Sequence, residues 1–137
     1  NRELLQQSYG AGAKFAISPG LTKDLLQAGN EGNIALIPGI SSISEMMDAI
    51  DSGYEHLKFF PAEASGGVNA IKSIAGPFPN VRFCPTGGIN LNNIRDYLAL
   101  PNVVCCGGSW LVSDEIVASQ NWGAITDLAT QALNHVK

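Results

Sequence analysis

The sequence predicts an α/β fold built from repeated strand–loop–helix units, and three observations predict it. Short apolar runs recur about every 20–25 residues, the spacing of βα units around a parallel sheet. Each run ends in a Gly/Pro turn signal. The segments between them carry readable helix starts and stops.

In chain order, the strands are expected at Lys14–Ile17, Asn33–Ile37, Glu55–Phe60, Val81–Cys84 and Val103–Cys106. Their turn signals are Ser18-Pro19-Gly20, Pro38-Gly39, Pro61-Ala62, Pro85-Thr86-Gly87-Gly88 and Gly107-Gly108-Ser109. Thr22 is placed to cap a helix over Lys23–Ala28, with Gly29 as its stop. Ser42-Ile43-Ser44-Glu45 has the spacing of a capping box, opening a helix through Ile50 that closes near Gly53. Asn90 is placed to cap Leu91–Leu100, and Pro101 ends that helix. Ser113–Ala118 reads as a short helix. A longer one over Ala124–Val136 puts Ile125, Leu128, Ala129, Ala132, Leu133 and Val136 on one face.

Two architectures fit five such units. A doubly wound sheet of five strands is complete at this length. A (β/α)8 TIM barrel is not, but its phosphate site often lies in the loops after strands 7 and 8, beside a short extra helix. Here the last two strand ends are the Gly-rich ones, and a short helix follows them. The expectation is therefore a truncated TIM barrel, residues 1–137 forming one partial domain of about five βα units, strands 4–8. About 70 residues, three units, would then lie upstream. The chain opens Asn1-Arg2-Glu3, with no methionine and no signal-peptide pattern, which agrees with a missing upstream part.

Composition narrows the function. Charged residues make up 15% of the chain, against about 25% in soluble proteins generally, so much of each element is expected to be covered. The net charge of −4 argues against nucleic acid or an anionic membrane surface as partner. No run approaches the roughly 20 apolar residues of a membrane span. Cys84, Cys105 and Cys106 fit neither a disulfide framework nor a zinc site and are read as small buried hydrophobes in a reducing cytosol.

Lys58 is the most informative residue. It interrupts the apolar run His56-Leu57-Lys58-Phe59-Phe60-Pro61, where a strand covered on both faces is expected to be continuously hydrophobic. Burial disfavours an ammonium and favours the neutral amine, the form that attacks carbonyls. The plain reading is a snorkelling lysine with its stem packed and its head in water. Its place just before the strand end, one strand ahead of the glycine turns, favours a Schiff-base nucleophile. Thr86-Gly87-Gly88 and Gly107-Gly108-Ser109 offer backbone amides to an anion such as phosphate, or serve only as tight turns.

Other polar and aromatic residues carry less. Glu63 is an acid/base candidate or a solvated loop carboxylate. His56 and His135 show no metal spacing, and Trp110 and Trp122 read as packing residues. Asp48, Asp51 and Glu55 read as an exposed helix end and turn.

Five motifs in order carry a resemblance: Phe15-Ala16-Ile17-Ser18-Pro19-Gly20, Leu36-Ile37-Pro38-Gly39-Ile40, Leu57-Lys58-Phe59-Phe60-Pro61-Ala62-Glu63, Arg82-Phe83-Cys84-Pro85-Thr86-Gly87-Gly88-Ile89 and Gly107-Gly108-Ser109-Trp110-Leu111. Together they resemble the C-terminal two-thirds of the 2-keto-3-deoxy-6-phosphogluconate (KDPG) aldolases, class I lyases of the Entner–Doudoroff pathway. The resemblance implies that Lys58 is the Schiff-base lysine. It implies that Thr86, Gly87, Gly88, Gly108 and Ser109 hold the carboxylate, hydroxyl and phosphate groups of the substrate, and that Pro19 and Phe60 line the pocket. It implies a cytoplasmic homotrimer acting on a small phosphorylated 2-keto acid without metal or organic cofactor. Threonine at 86, where phosphogalactonate relatives carry valine, points to the gluconate isomer. The family's general-base glutamate, substrate-binding arginine and a further threonine lie on early strands that this sequence lacks.

The implied reaction is cleavage of 2-keto-3-deoxy-6-phosphogluconate to pyruvate and glyceraldehyde 3-phosphate, with 4-hydroxy-2-oxoglutarate as a second substrate. Four other readings stand beside it. They are a non-catalytic phosphosugar-binding half barrel in which Lys58 pairs with an anion, a Schiff-base-free isomerase or epimerase, a phosphogalactonate-type aldolase, and a decarboxylase or aldolase acting on 4-hydroxy-2-oxoglutarate or oxaloacetate with the same lysine.

Overall fold

A computed structural model describes residues 1–136. The chain runs α1 (Arg2–Gly10), β1 (Phe15–Ile17), α2 (Lys23–Glu31), β2 (Ala35–Ile37), β3 (Gly39–Ile40), α3 (Ile43–Asp51), β4 (His56–Phe59), α4 (Gly67–Ile74), β5 (Arg82–Pro85) and α5 (Ile94–Leu98). A 3₁₀ turn over Ser109–Leu111, then α6 (Asp114–Ala118) and α7 (Trp122–Val136), complete it. Among the described residues no helix is long and apolar enough to cross a membrane.

All strand pairs are parallel, and spatial neighbours are sequence neighbours: β1 beside β2, β3 beside β4, β4 beside β5. A doubly wound sheet reverses its strand order at a switch point; this one does not. The expected strand ends at Ile37 as β2, but past Pro38 the chain continues as a further short strand, β3, which was not expected. Up to Ile37 the chain pairs with β1, and from Gly39 it pairs with β4, joined by Lys58 N–H donating to Pro38 O at 2.9 Å.

The fifth expected strand, Val103–Cys106, does not form as a ladder. It touches β5 at two separate bridges, Phe83 with Val103 and Thr86 with Gly107. Three steps along one side thus face four along the other, a bulge of one residue. The cause lies in β5. Arg82 and Thr86 donate toward β4, while Phe83 donates the other way, to Asn102 O at 2.8 Å. By that alternation residue 85 should donate to the last segment, but proline has no N–H. Gly107 N–H instead reaches Pro85 O at 3.0 Å.

Alternation along the strands builds the core. Leu57 and Phe59 of β4, Phe83 of β5 and Ile40 of β3 are buried with Met46 and Ala49 of α3, Ile71 and Ile74 of α4 and Tyr97 of α5. Phe59 and Phe83 meet edge to face at 6.1 Å. Each such side chain contributes about 1.5–3 kcal/mol when fully buried. A smaller cluster joins Leu5, Ala28, Ile34 and Leu36. Tyr54 packs against both clusters, its hydroxyl donating to Leu26 O at 2.8 Å. The opposite face of the strands is open: Phe15 is 58% and Ile17 43% exposed.

Several helix boundaries differ from expectation. Helix α2 runs through Gly29 and ends before Gly32. Gly29 is a packing residue, since a Cβ there would fall 2.8 Å from the Leu36 side chain. Helix α5 begins at Ile94, because Asn90 and Asn93 hold the preceding residues in side-chain turns: Asn90 N–H donates to Asn93 Oδ1 at 2.8 Å and Asn92 N–H to Asn90 Oδ1 at 2.9 Å. Helices α1 and α4 were not among the expected elements. The latter enters through two left-handed glycines, Gly66 and Gly67, with no side-chain cap to announce it. The Ser42/Glu45 capping box and the Thr22 cap form as expected, and Ser113 caps α6. On α7 the expected stripe is half-covered at Ile125, Leu128, Ala129, Ala132 and Val136, whereas Leu133 is 62% exposed.

Candidate active site

Because the strands are parallel, the turns that follow β1, β4, β5 and the bulged last segment all emerge at one rim. Those turns carry the residues singled out from the sequence. Lys58 is the third residue of β4, where the exposure pattern alternates: Leu57 and Phe59 are buried on the helix side, and Lys58 is half-buried on the open side. Its register partners there are Gly39 on one side and Cys84 on the other.

Two residues on, Phe60 points the same way, as strand alternation requires. The Lys58 Nζ lies 4.5 Å from the centroid of its ring. The same ring meets the next turn: a Cβ at Gly87 would lie 3.2 Å from the ring edge. Lysine, aromatic ring and first glycine turn therefore form one contact series.

Pro19 approaches from β1. A side chain at Gly39 would run into the backbone of Ser18 and Pro19, so only glycine lets that turn close over the Lys58 partner position. Ser18, which sequence reading passed over, fixes the turn: its Oγ donates to Gly20 O at 2.7 Å and accepts from Gly39 N–H at 3.4 Å. Pro19 itself is exposed.

The two glycine turns are neighbours through the Thr86–Gly107 bridge. Thr86 donates its N–H to Phe59 O at 3.0 Å, and its carbonyl accepts from Ala62 N–H at 2.7 Å. The buried Thr86 Oγ1 has no hydrogen-bond partner among the described residues, and an unpaired buried polar atom next to the glycine turns marks this spot for a polar function. Gly87 and Gly88 both take left-handed conformations, φ +94° and +81°, which other residues adopt only with strain. Gly108 is extended, and a Cβ there would overlap the Trp110 ring. Ser109 is exposed and opens the 3₁₀ turn.

All three cysteines are free, but their burial differs from expectation: Cys105 is exposed, and Cys84 and Cys106 are half-buried. For Cys84 the reason is alternation: it is the register partner of Lys58 and shares its open face. Burial pushes the Cys84 thiol up to about 12, reinforced by Cys105, and burial pushes Cys106 to about 12 as well. Trp110 is half-buried against the core, but Trp122 is 57% exposed and packs less than expected. His56, Asp48, Asp51 and Glu55 are exposed, and His135 is half-buried. Glu63 is exposed, as a loop carboxylate is expected to be, but its Oε1 is not unpartnered: it accepts from the buried Tyr97 hydroxyl. Such a pairing across 34 residues leaves no local sequence signal.

A family model described as KDPG and KHG aldolase matches residues 1–128. The chain is 64% identical over 133 residues to a 2-dehydro-3-deoxy-phosphogluconate aldolase of Pseudoalteromonas atlantica, covering 97% of this chain and 62% of the relative. It is 56% identical over 137 residues to the KHG/KDPG aldolase of Escherichia coli, covering 100% of this chain and 64% of that one. Among solved structures it is similar to the KDPG aldolase from Legionella pneumophila with pyruvate captured at low pH as a covalent carbinolamine intermediate. That match has a TM-score of 0.92 and 51% identity, over 96% of this chain and 64% of the other. The chain thus spans 62–64% of the length of these relatives.

Proposed function

This chain belongs to the KDPG and KHG aldolase family, and we propose that it supplies the lysine-bearing part of a class I aldolase. The substrate is 2-keto-3-deoxy-6-phosphogluconate, cleaved to pyruvate and glyceraldehyde 3-phosphate, with 4-hydroxy-2-oxoglutarate as a second substrate. One observation carries the reading. Lys58 stands on the open face of β4, its Nζ 4.5 Å from the Phe60 ring that also packs against Gly87.

In this reading the neutral amine of Lys58 attacks the C2 ketone, and water leaves to give an iminium. The iminium draws electrons as the C3–C4 bond breaks to an enamine and the C4 hydroxyl gives up its proton. Glyceraldehyde 3-phosphate departs, and protonation and hydrolysis of the enamine release pyruvate and the free amine. Splitting one difficult step into easier ones is the benefit of covalent catalysis. Thr86 Oγ1 and the Gly87 and Gly88 amides take the carboxylate and hydroxyl end; Gly108 and Ser109 take the phosphate; Pro19 and Phe60 shape the pocket. Thr86 favours the gluconate isomer.

The sequential order of parallel strands supports a barrel arc, and we assign these units to strands 4–8 of a (β/α)8 TIM barrel forming one domain. The open face carrying Phe15, Ile17 and Lys58 is then the barrel interior. The three other strands and the general base belong to an upstream segment, in keeping with relatives of which this chain covers 62–64%. We assign the whole enzyme to the cytoplasm as a homotrimer that needs neither metal nor organic cofactor.

Borohydride reduction with pyruvate tests the assignment. The full-length protein carrying this sequence is expected to gain one reduced pyruvate on Lys58, located by peptide mass. An intact protein that gains none rules out the Schiff base.

A further inference from the structure

We propose that Glu63 is a positioning residue, a strut tied at its tip to the buried Tyr97 hydroxyl that holds the Thr86–Gly88 turn in place relative to Lys58. This rests on the aldolase reading for its effect on turnover, but not for its effect on the turn itself.

Three kinds of contact define the strut. At its tip, Glu63 Oε1 accepts from the hydroxyl of Tyr97 on α5. Tyr97 is 0% exposed, so its phenol has no water to turn to, and losing this acceptor would strand a buried donor. Burial first and the Glu63 contact second raise the Tyr97 pKa, so the phenol keeps its proton and donates. Along its stem, Glu63 lies on Gly88: a Cβ there would sit 2.6 Å from Glu63 Cγ and 2.8 Å from its Cβ. At its base, Glu63 N–H donates to Gly87 O at 3.1 Å, and the preceding Ala62 N–H donates to Thr86 O at 2.7 Å.

The loop is closed behind the strut. Gly67 N–H returns to Ala62 O at 2.9 Å. A Cβ at Gly67 would lie 3.3 Å from both Glu63 Oε1 and the Tyr97 oxygen. Gly67 and Gly88 thus make room for the two ends of one side chain. From Tyr97 the contacts pass through Glu63 to Gly88 and Gly87, then through the Phe60 ring to Lys58. Glu63 is linked to the Lys58 amine by that series of neighbours, and its Oε1 accepts from Tyr97. Both facts fit a support and not a proton shuttle.

The test uses the full-length protein carrying this sequence. Hydrogen exchange at the bonded amides of Ala62, Glu63 and Thr86 reports on the turn whatever the chemistry. In Glu63→Ala and in Tyr97→Phe, which keeps the ring volume, exchange is expected to quicken about tenfold. Glu63→Gln keeps an acceptor and is expected to stay close to wild type. In aldol cleavage, Glu63→Ala and Tyr97→Phe are expected to raise KM for the phosphorylated keto acid about ten- to a hundredfold, with the pH profile of kcat unmoved and Glu63→Gln restoring KM.

Unchanged exchange in Tyr97→Phe overturns the strut, even if Glu63→Ala fails to fold. A loss of about 10²–10⁴-fold in kcat with one limb of the pH profile missing in Glu63→Gln overturns it too, making Glu63 an acid or base. A wild-type protein that forms no pyruvate adduct on Lys58 yet shows quickened exchange in Tyr97→Phe sinks the aldolase reading and sustains the strut.

Discussion

Thr86 and Gly107 face each other as parallel bridge partners, and the Thr86 methyl already fills the room a side chain at 107 would need: a Cβ there would fall 2.7 Å from Thr86 Cγ2. This pair joins the two glycine turns of the candidate site. Gly107→Ala forces Thr86 to give way and is expected to cost about 1–3 kcal/mol, the usual penalty of overpacking. Urea unfolding measures that cost. Borohydride trapping of pyruvate in the full-length variant is expected to need a higher pyruvate concentration. A variant with wild-type stability and trapping would show that the two turns are independent.

Alkaline stability follows from the thiols. Cys84 and Cys106 are raised to about 12 in the fold from an ordinary value near 9. The unfolded chain therefore loses these protons first, so the stability they contribute is complete below about pH 9 and is lost as pH rises toward about 12. The drop in urea midpoint between neutral and alkaline solution is expected to shrink in a Cys84→Ala/Cys106→Ala variant. An unchanged drop contradicts the assignment.

The capping box gives the opposite pH sign. Glu45 is lowered chiefly by the Ser41 N–H bond, with Ser42 adding to it. Its contribution is present above the ordinary carboxylate value and fades as pH falls through the depressed one. Ser42→Ala removes the acceptor for Glu45 N–H and is expected to cost about 0.5–2 kcal/mol. Glu45→Gln is expected to flatten part of the acid limb of the stability curve, read by thermal unfolding from neutral to acidic pH.

The 137-residue segment produced alone is expected to show little or no aldol turnover if, as proposed, the general base and three barrel strands lie outside it. Cleavage of the phosphorylated keto acid at a wild-type-like rate by the purified segment would refute that placement.

Much of this site was legible because it depends on local rules. Strand spacing, the intrusion of Lys58 into an apolar run and the paired glycines all survive in the structure with their relative order. What escaped depends on partners far apart in the chain. Gly29 reads as a helix stop, yet it is a contact with Leu36 and Tyr54. Asn90 reads as a cap, yet its side chain bonds Asn92 and delays the helix. Val103–Cys106 has the composition of a strand, but whether it pairs regularly is decided by its neighbour β5. The role of Glu63 required knowing that Tyr97 comes to it.

Pro85 has a consequence for the geometry of recognition. With no hydrogen on its nitrogen, it denies the neighbouring chain its regular rung and so accommodates the one surplus residue before Gly107. Were that rung restored, the following turn could slide back by one position, about 3.3 Å along the sheet. The spacing between the two glycine turns is therefore gauged by one imino acid that holds both, Thr86 through the chain and Gly107 through its carbonyl.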